Sequence, residues 1–254
     1  MLVRGISPNF TEALANYFGS GPTNLEASRV AHEDFVSALL ENGLEIIELP
    51  PLSQHPDCCF VEDTAVIVGS KALICNLGHP SRKGEIEGVR DALGEFFELI
   101  DMPEGASLDG GDVIFYDGTY LIGRSTRTND AGVEFLSELC VSENFATHVF
   151  DIPPSTLHLS TVCSSPRPGT LVTAEGHLTP EQFEGLEAEI VWIPNDESYA
   201  ANTIGFADDS VIISADYPVT KATMEDLGFT IREVNMEHIR AADGSLTCLK
   251  VFID

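Results

Sequence analysis

The segment GDVIFYDGTYLIGR, residues 111–124, consists of two apolar runs separated by Asp117-Gly118. An Asp-Gly pair between two such runs is a strong short-range signal for a tight β-hairpin. The residues that follow have first a helical pattern, NDAGVEFLSELC at 129–140, and then a strand pattern, ATHVFDI at 146–152. The segment therefore predicts a unit in which a hairpin is followed by a helix and a third strand.

The same order of elements recurs along the chain, which indicates repeated α/β units. Two further units have all three parts and one has a hairpin without an obvious helix; their hairpins are VEDTAVIVGSKALICN (61–76), NTIGFADDSVIISA (202–215) and STLHLSTVCSSPRPGTLVTA (155–174). Such repeats must stack to bury their apolar faces, and closing them into a ring leaves a central channel. Ligands tend to bind where several units converge.

The first 50 residues have a less regular pattern. Apolar residues that include Val30 and Leu40 recur at helical spacing over 25–42, on roughly one side of the predicted helix. LEIIELP at 44–50 then has the pattern of a strand that ends at proline. The Gly-Ser-Gly-Pro run at 19–22 predicts a loop before the helix.

The chain is acidic, since 13 lysines and arginines stand against 41 aspartates and glutamates and give a net charge of −28. Such a surface repels phosphate backbones and anionic membranes, so neither nucleic acid nor membrane is an expected partner. Two origins of the acidity remain open: adaptation to concentrated salt, which screens the self-repulsion, or an ordinary acidic cytoplasmic protein. The sequence has no apolar run of membrane-spanning length and no signal-peptide pattern, which predicts a cytoplasmic location.

Two clusters of acidic residues lie at the starts of predicted strands. Asp57, Glu62 and Asp63 form the first, and Asp109 and Asp112 flank two glycines in the second. In a chain this acidic, each cluster has an ordinary interpretation as solvated turn residues. If the clusters are buried, they suit a cationic ligand, because carboxylates bind guanidinium through parallel hydrogen bonds.

Four other residues have both a structural and a functional interpretation. Cys248 is either a small buried apolar residue or a nucleophile presented where a turn meets a strand. His158 lies in an apolar run, where a lone histidine is more often a core residue. Arg82 and Arg127 are either surface charges or clamps for a carboxylate. A ligand with a guanidinium at one end and a carboxylate at the other satisfies both the acids and the arginines, which points to arginine and its derivatives.

Six motifs, in this order along the chain, resemble those of the dimethylarginine dimethylaminohydrolases (dimethylargininases) of the amidinotransferase, or pentein, superfamily. They are FVEDTAV (60–66), SLDGGDV (107–113), IGRSTRTN (122–129), LHLST (157–161), ESYAANTI (197–204) and DGSLTC (243–248). The resemblance covers nearly the whole chain. It implies an α/β fold, a five-bladed α/β propeller of ββαβ repeats with a central active-site channel, and a single domain over residues 1–254.

The resemblance also implies a role for individual residues. Cys248 matches the family's nucleophile, His158 its general acid and base, and Asp109 the acid that orients the histidine. The remaining matches are substrate contacts: the acids Asp57, Glu62 and Asp63, the arginines Arg82 and Arg127 for the amino-acid end, Leu14 in a segment covering the substrate, and the backbone carbonyl near Ala242. No metal or organic cofactor is implied, the expected partner is a small guanidino amino acid, and a homodimer is a further expectation.

The implied reaction is hydrolysis of Nω,Nω-dimethylarginine to citrulline and dimethylamine. The nearest alternative is arginine deiminase-type hydrolysis of unmethylated arginine or a related guanidino compound, because the two reactions use the same groups and differ in how the pocket treats two methyl groups. Agmatine is disfavoured because it has no carboxylate for Arg82 and Arg127. A more remote alternative is a non-catalytic binding protein of the pentein fold, since fold alone does not fix function.

Overall fold

The computed structural model describes residues 1–19 and 24–253, so most of the loop predicted at 19–22 lies outside the described residues. The strands are β1 Leu2–Arg4, β2 Ile47–Leu49, β3 Ala65–Val68, β4 Lys71–Ile74, β5 Glu98–Asp101, β6 Val113–Tyr116, β7 Thr119–Arg124, β8 Ala146–Asp151, β9 Cys163–Arg167, β10 Thr170–Ala174, β11 Glu189–Ile193, β12 Ile204–Gly205, β13 Ser210–Ser214, β14 Thr230–Val234 and β15 Lys250–Val251. The helices are α1 Leu25–Glu41, α2 Val89–Leu93, α3 Asp130–Ser142, α4 Pro218–Asp226 and α5 Glu237–Arg240. No described helix has the length and the apolar composition that crossing a bilayer requires.

The strands form five sheets of three strands each, and every sheet has one antiparallel and one parallel pair. In the sheet of β6, β7 and β8, the first two strands form an antiparallel hairpin in which Val113 lies opposite Ile122. The third strand, β8, returns parallel to β7 after the chain has passed through α3. The predicted five-bladed propeller of hairpin–helix–strand repeats is therefore confirmed.

Two of the blades depart from the plain repeat. In the blade of β9, β10 and β11, the crossover is a 3₁₀ turn at Pro180–Phe183, which explains why no helical pattern was visible there. In the last blade, β1 lies between β15 and β2, and Leu2 lies opposite Val251. Segments about as far apart in sequence as the chain allows thus share one sheet, and their pairing closes the ring.

Helix α1 begins at an N-cap, because the side chain of Asn24 accepts a hydrogen bond from the backbone N–H of Ala27. Phe35 and its neighbours on one face are buried against the core. Val30 and Leu40, which the sequence pattern placed on roughly that side, are 58% and 54% exposed. The apolar stripe of this helix is therefore narrower than its composition indicated.

The first strand of each hairpin, together with β15, faces the centre of the ring. Residues of β3, β6, β9, β12 and β15 line a central cavity of about 500 Å³. Each of these inner strands follows a tight turn or bend, such as Val61–Thr64 before β3, Gly110–Asp112 before β6 and Thr247–Leu249 before β15. Because the inner strands converge, these turns bring together side chains that are distant in sequence.

Candidate active site

A narrow cavity lies where these turns meet. Its lining consists of Leu14, Asp57, Phe60, Asp63, Arg82, Arg127, Leu157, His158, Ala242, Asp243, Gly244 and Cys248. The central cavity shares no described lining residue with it. The two are nevertheless adjacent, because Glu62 and Thr247 line the central cavity and are the chain neighbours of Asp63 and Cys248.

Cys248 lies in the 3₁₀ turn immediately before β15 and is 3% exposed. The turn is braced from the side by Asn202, whose amide accepts a hydrogen bond from the Thr247 N–H at 3.1 Å and donates one to the Thr247 hydroxyl at 2.9 Å. The Sγ atom lies 3.2 Å from the hydroxyl of Ser245. Burial, together with the carboxylates of Glu62 and Asp63, raises the pKa of the Cys248 thiol to about 12. The unliganded site therefore holds a neutral thiol.

His158 and Asp109 form a buried pair beside the cavity. The Nε2 atom of His158 lies 3.1 Å from Oδ2 of Asp109, whose other oxygen accepts the backbone N–H of Gly78 at 2.7 Å. The Nδ1 atom of His158 is buried and has no hydrogen-bond partner among the described residues. Burial opposes the charged imidazole, but the nearby carboxylates of Asp63, Asp112 and Asp109 outweigh it and raise the pKa of His158 to about 9. At neutral pH the imidazole is therefore protonated.

The close approach of these elements requires glycine at position 111. A Cβ atom there would lie 2.7 Å from both Oδ1 of Asp63 and Nδ1 of His158. The backbone N–H of Gly111 donates to the same Asp63 oxygen at 2.9 Å. The double glycine of the sequence motif thus lets one backbone turn pack directly against an acid and the histidine.

Asp112 belongs to the second acidic cluster found in the sequence, but the family resemblance implied no individual role for it. Its Oδ1 accepts the backbone N–H of Leu159 at 3.0 Å, and its Oδ2 accepts the hydroxyls of Ser125 and Thr128 at 2.5 and 2.6 Å. It therefore ties the His158 segment to the loop that carries Arg127. Burial raises the pKa of Asp112 to about 6. The available signal was its position as the second acid of the LDGGD motif.

Asp63 points into the cavity and is held by Arg82. The guanidinium of Arg82 pairs with Asp63 and donates to Glu85 through Nε and Nη2, at 3.0 and 2.7 Å, and to the carbonyl of Phe60 at 3.0 Å. Burial works against ionisation of Asp63, but the positive charges of His158 and Arg82 keep the pKa of its carboxyl below its ordinary value. Asp63 is thus an anionic group that lines the same cavity as the Cys248 thiol.

This arrangement differs from the expectation that Arg82 binds an amino-acid carboxylate. Arg82 lines the cavity, but Asp63, Glu85 and a backbone carbonyl already occupy its guanidinium. Its buried partner Glu85 was not found from the sequence, because one more glutamate in an acidic chain carries no distinguishing signal. Arg127 is less engaged: its Nη1 lies 3.5 Å from Oδ2 of Asp109.

Glu62 also lies differently from the expectation of a substrate contact. Its carboxylate accepts the hydroxyls of Thr247 at 2.9 Å and Ser160 at 3.3 Å, and it pairs with Lys250 at 3.3 Å. Among the described residues it lines the central cavity rather than the narrow one. Burial raises the pKa of the Glu62 carboxyl, whereas Lys250 opposes this shift.

The remaining predicted contacts are Asp57, Leu14 and Ala242. Asp57 accepts the backbone N–H of Leu14 at 3.0 Å through one carboxylate oxygen. Burial raises the pKa of the Asp57 carboxyl, and Arg82 acts in the opposite direction. Leu14 and Ala242 both line the cavity, as the resemblance implied.

Three of these groups have the spacing of a metal site. Asp63, Asp109 and His158 each present a ligand atom, and these atoms lie within 4.8 Å of one another. However, each group already has a strong partner, since Arg82 pairs with Asp63 and Nε2 of His158 contacts Asp109. The hydrogen bonds therefore account for this cluster without a metal ion.

Comparisons with known proteins agree with this arrangement of fold and site. A family model described as N,N dimethylarginine dimethylhydrolase, eukaryotic, matches residues 15–179. The chain is 30% identical to the N(G),N(G)-dimethylarginine dimethylaminohydrolase of Pseudomonas aeruginosa, over 87% of this chain and 86% of the relative. It is also 30% identical to the enzyme of that name from Streptomyces coelicolor, over 98% of this chain and 95% of the relative.

A solved structure has the same fold over almost the whole chain. It is that of a cysteine-to-serine variant of the Pseudomonas aeruginosa dimethylarginine dimethylaminohydrolase complexed with citrulline, with a TM-score of 0.89 and 26% identity over 98% of this chain and 96% of the other. The family-model match spans more than half of the chain, and two relatives align with it over most of their own length. The chain, with its five-bladed pentein fold, therefore belongs to the N,N-dimethylarginine dimethylhydrolase family.

Proposed function

We propose that the protein hydrolyses Nω,Nω-dimethylarginine to citrulline and dimethylamine. The observation that carries the proposal is the convergence of Cys248, His158 and Asp63 on one buried cavity. A thiol, a protonated imidazole and an anionic carboxylate are the three groups that this reaction requires. Relatives with this name, and a related enzyme complexed with citrulline, support the same substrate class.

The charges of the cavity fit both ends of such a substrate. Asp63 is positioned to bind the guanidinium and to fix its plane, because Arg82 and Gly111 already hold the carboxylate in place. Arg127 is the better candidate for the substrate carboxylate, since its guanidinium has fewer partners than that of Arg82. Asp57 and the carbonyl of Ala242 remain for the substrate's ammonium group, beside Leu14.

The protonation states define how the thiol is activated. His158 carries a proton at neutral pH, so it does not accept the proton of Cys248 in the unliganded site. A bound guanidinium brings positive charge next to the sulfur and lowers the pKa of the thiol, whose proton then passes to solvent. The substrate therefore helps to generate the thiolate that attacks its own guanidinium carbon.

The same protonated His158 serves the next step. Attack of the thiolate forms a C–S bond and a tetrahedral adduct, from which dimethylamine leaves as His158 donates its proton to the departing nitrogen. A covalent S-alkylthiouronium remains on Cys248. His158, now neutral, accepts a proton from water, and the resulting hydroxide attacks the carbon. The C–S bond then breaks with its electron pair returning to sulfur, the hydroxyl proton of the adduct passes to the thiolate, and citrulline leaves.

A citrulline assay with dimethylarginine, monomethylarginine and arginine tests this function. We expect the highest kcat/KM for dimethylarginine, and we expect Cys248→Ser to form no citrulline while still binding the substrate in calorimetry. A clear preference for unmethylated arginine would instead establish the deiminase-type alternative. Absence of turnover with all three, and with other alkylguanidines, would favour a non-catalytic binding protein.

We further propose that the enzyme acts in the cytoplasm on a small guanidino amino acid, without nucleic acid or membrane, and as a homodimer. The net charge of −28 supports the exclusion of phosphate-rich partners. Light scattering of the purified protein gives its molar mass directly. A mass near the 27.4 kDa of one chain would contradict the dimer.

A further inference from the structure

One side of the candidate active site is closed by the segment 14–19, and the carboxylate of Asp243 binds that segment along its backbone. The N–H groups of Asn16, Tyr17 and Gly19 all donate to Asp243: Asn16 to Oδ2, Tyr17 to both oxygens at 3.1 and 3.0 Å, and Gly19 to Oδ1 at 2.6 Å. Asp243 is 5% exposed and lines the cavity five residues before Cys248. The segment 14–19 belongs to neither a helix nor a strand. The carboxylate of Asp243 accepts its N–H groups in place of the backbone carbonyls that a helix or a sheet would supply.

Two further contacts fix the segment against opposite walls of the cavity. A Cβ atom on Gly19 would lie 2.5 Å from the carbonyl oxygen of Ala241, so the segment packs directly on the backbone next to Ala242. The hydroxyl of Tyr17 lies 3.3 Å from that of Thr126, the neighbour of Arg127. The segment therefore bridges the wall that carries Cys248 and the wall that carries Arg127.

The cavity under this segment is small. Its volume is about 20 Å³, which holds one or two water molecules, since a single water needs about 10–15 Å³. An amino acid does not fit in that space. Substrate binding therefore requires the walls of the cavity to separate, and the hydrogen bonds to Asp243 hold one of these walls, the segment 14–19, in place.

We propose that Asp243 is a positioning residue that holds the segment 14–19 over the substrate. It acts through Leu14 and through the backbone at Ala242, and not by contact with the reacting atoms. In this proposal the bonds form again over the bound ligand, so their main effect is on the retention of substrate. The kinetic part of this inference rests on the proposed dimethylarginine hydrolysis; the structural part does not.

The conformation of Asp243 provides well-matched variants. Its φ is +59°, a region that glycine and asparagine tolerate, so Asp243→Gly and Asp243→Asn preserve the backbone while removing all or part of the acceptor. Asp216, with φ +71°, is exposed and serves as the control through Asp216→Gly. Gly19→Ala places a Cβ atom against the carbonyl oxygen of Ala241. It therefore disturbs the packing of the segment 14–19 and leaves the carboxylate of Asp243 in place.

Hydrogen exchange of the peptide over 14–19 is the first measurement. Each lost hydrogen bond to a charged acceptor corresponds to roughly tenfold in an equilibrium constant, so we expect exchange at least about tenfold faster in Asp243→Gly, an intermediate rate in Asp243→Asn and no change in Asp216→Gly. Unchanged exchange in both Asp243 variants would overturn the proposal. This readout needs no substrate, so it remains informative even if dimethylarginine is not turned over.

Steady-state kinetics are the second measurement. We expect KM for dimethylarginine to rise by about tenfold in Asp243→Gly with kcat within about threefold of the parent, and Gly19→Ala to follow the same pattern. A fall in kcat at constant KM would show that Asp243 acts on the chemistry and would contradict the positioning role. If Asp243→Gly fails to fold, Asp243→Asn decides, and parent-like exchange and KM in that variant would count against the proposal.

Discussion

The imidazole of His158 has two unlike nitrogens: Nε2 lies 3.1 Å from Oδ2 of Asp109, whereas Nδ1 has no hydrogen-bond partner among the described residues. One nitrogen is thus held in place by the buried Asp109, and the other lies 3.8 Å from Oδ1 of Asp63. The nearby carboxylates of Asp63, Asp112 and Asp109 keep the ring protonated and raise its pKa to about 9. The reaction requires this protonated form when the amine departs.

The pH dependence of turnover should therefore report on Asp109. In the parent enzyme we expect activity to fall above about pH 9, where His158 loses its proton. Replacing Asp109 by Asn removes a negative charge and lowers the pKa of His158, so the alkaline limb moves to lower pH and kcat falls by roughly 10²-fold. The measurement is kcat against pH for both proteins, with Asp117→Asn in a remote hairpin as control. An alkaline limb at the same pH in Asp109→Asn as in the parent would contradict the assignment of Asp109 as the partner of His158.

The two arginines of the cavity should respond differently to removal. Arg127→Ala should raise KM for dimethylarginine much more than KM for a simple alkylguanidine, because only the amino acid has a carboxylate to lose. Arg82→Ala instead leaves Asp63 and Glu85 without their buried partner, and we expect the free energy of unfolding to fall by about 3–5 kcal/mol. Kinetics with both substrates and urea denaturation measure these effects. Equal KM changes for the two substrates in Arg127→Ala would argue against a carboxylate site.

Glu62 and Lys250 form a nearly buried ion pair next to the catalytic turn, with side chains 11% and 9% exposed. Lys250→Met should destabilise the protein by about 3 kcal/mol, because it leaves the Glu62 carboxylate buried without its partner. The double variant Glu62→Gln with Lys250→Met should recover part of that loss, since the unpaired charge is gone. Urea denaturation of the two variants measures both effects. A double variant that is less stable than Lys250→Met would show that the pair contributes in another way.

The acidity of the chain leads to a prediction about salt. If the net charge of −28 is an adaptation to concentrated salt, the melting temperature should rise by several degrees from about 0.1 M to about 2 M KCl, because screening relieves the repulsion between carboxylates. Differential scanning calorimetry over this range is the measurement. A flat response would favour an ordinary acidic protein.

Much of the fold was predictable because turn chemistry and alternating apolar runs are local signals. Asp117-Gly118 marks a hairpin turn whose two residues both have positive φ, and a third strand follows each of α2, α3 and α4 as the pattern indicated. The helix over 25–42 was also found, but Val30 and Leu40 are exposed. The composition of a helix does not reveal which of its apolar residues the neighbouring elements will cover.

The sequence predicted which residues belong to the site better than it predicted how their side chains are oriented. Cys248, His158 and Asp63 line one cavity as the motifs implied. Glu62 and Asp63 are adjacent in sequence, yet the 3₁₀ turn directs their carboxylates to different cavities. No local signal distinguishes two consecutive acids in this way. Contacts across long sequence separations, such as that between Asp243 and the segment 14–19, are equally invisible without the fold.

The pairing of β15 with β1 has a consequence for the order of folding. Cys248 lies two residues before β15, so the thiol reaches its place only when Lys250 and Val251 have joined Leu2 and Val3. That contact spans most of the chain and carries a high entropic cost of loop closure. Intermediates in which the other four blades are already formed should therefore be compact and yet inert. The protein should become active only in the final folding step, when the pairing of β15 with β1 completes the fifth sheet.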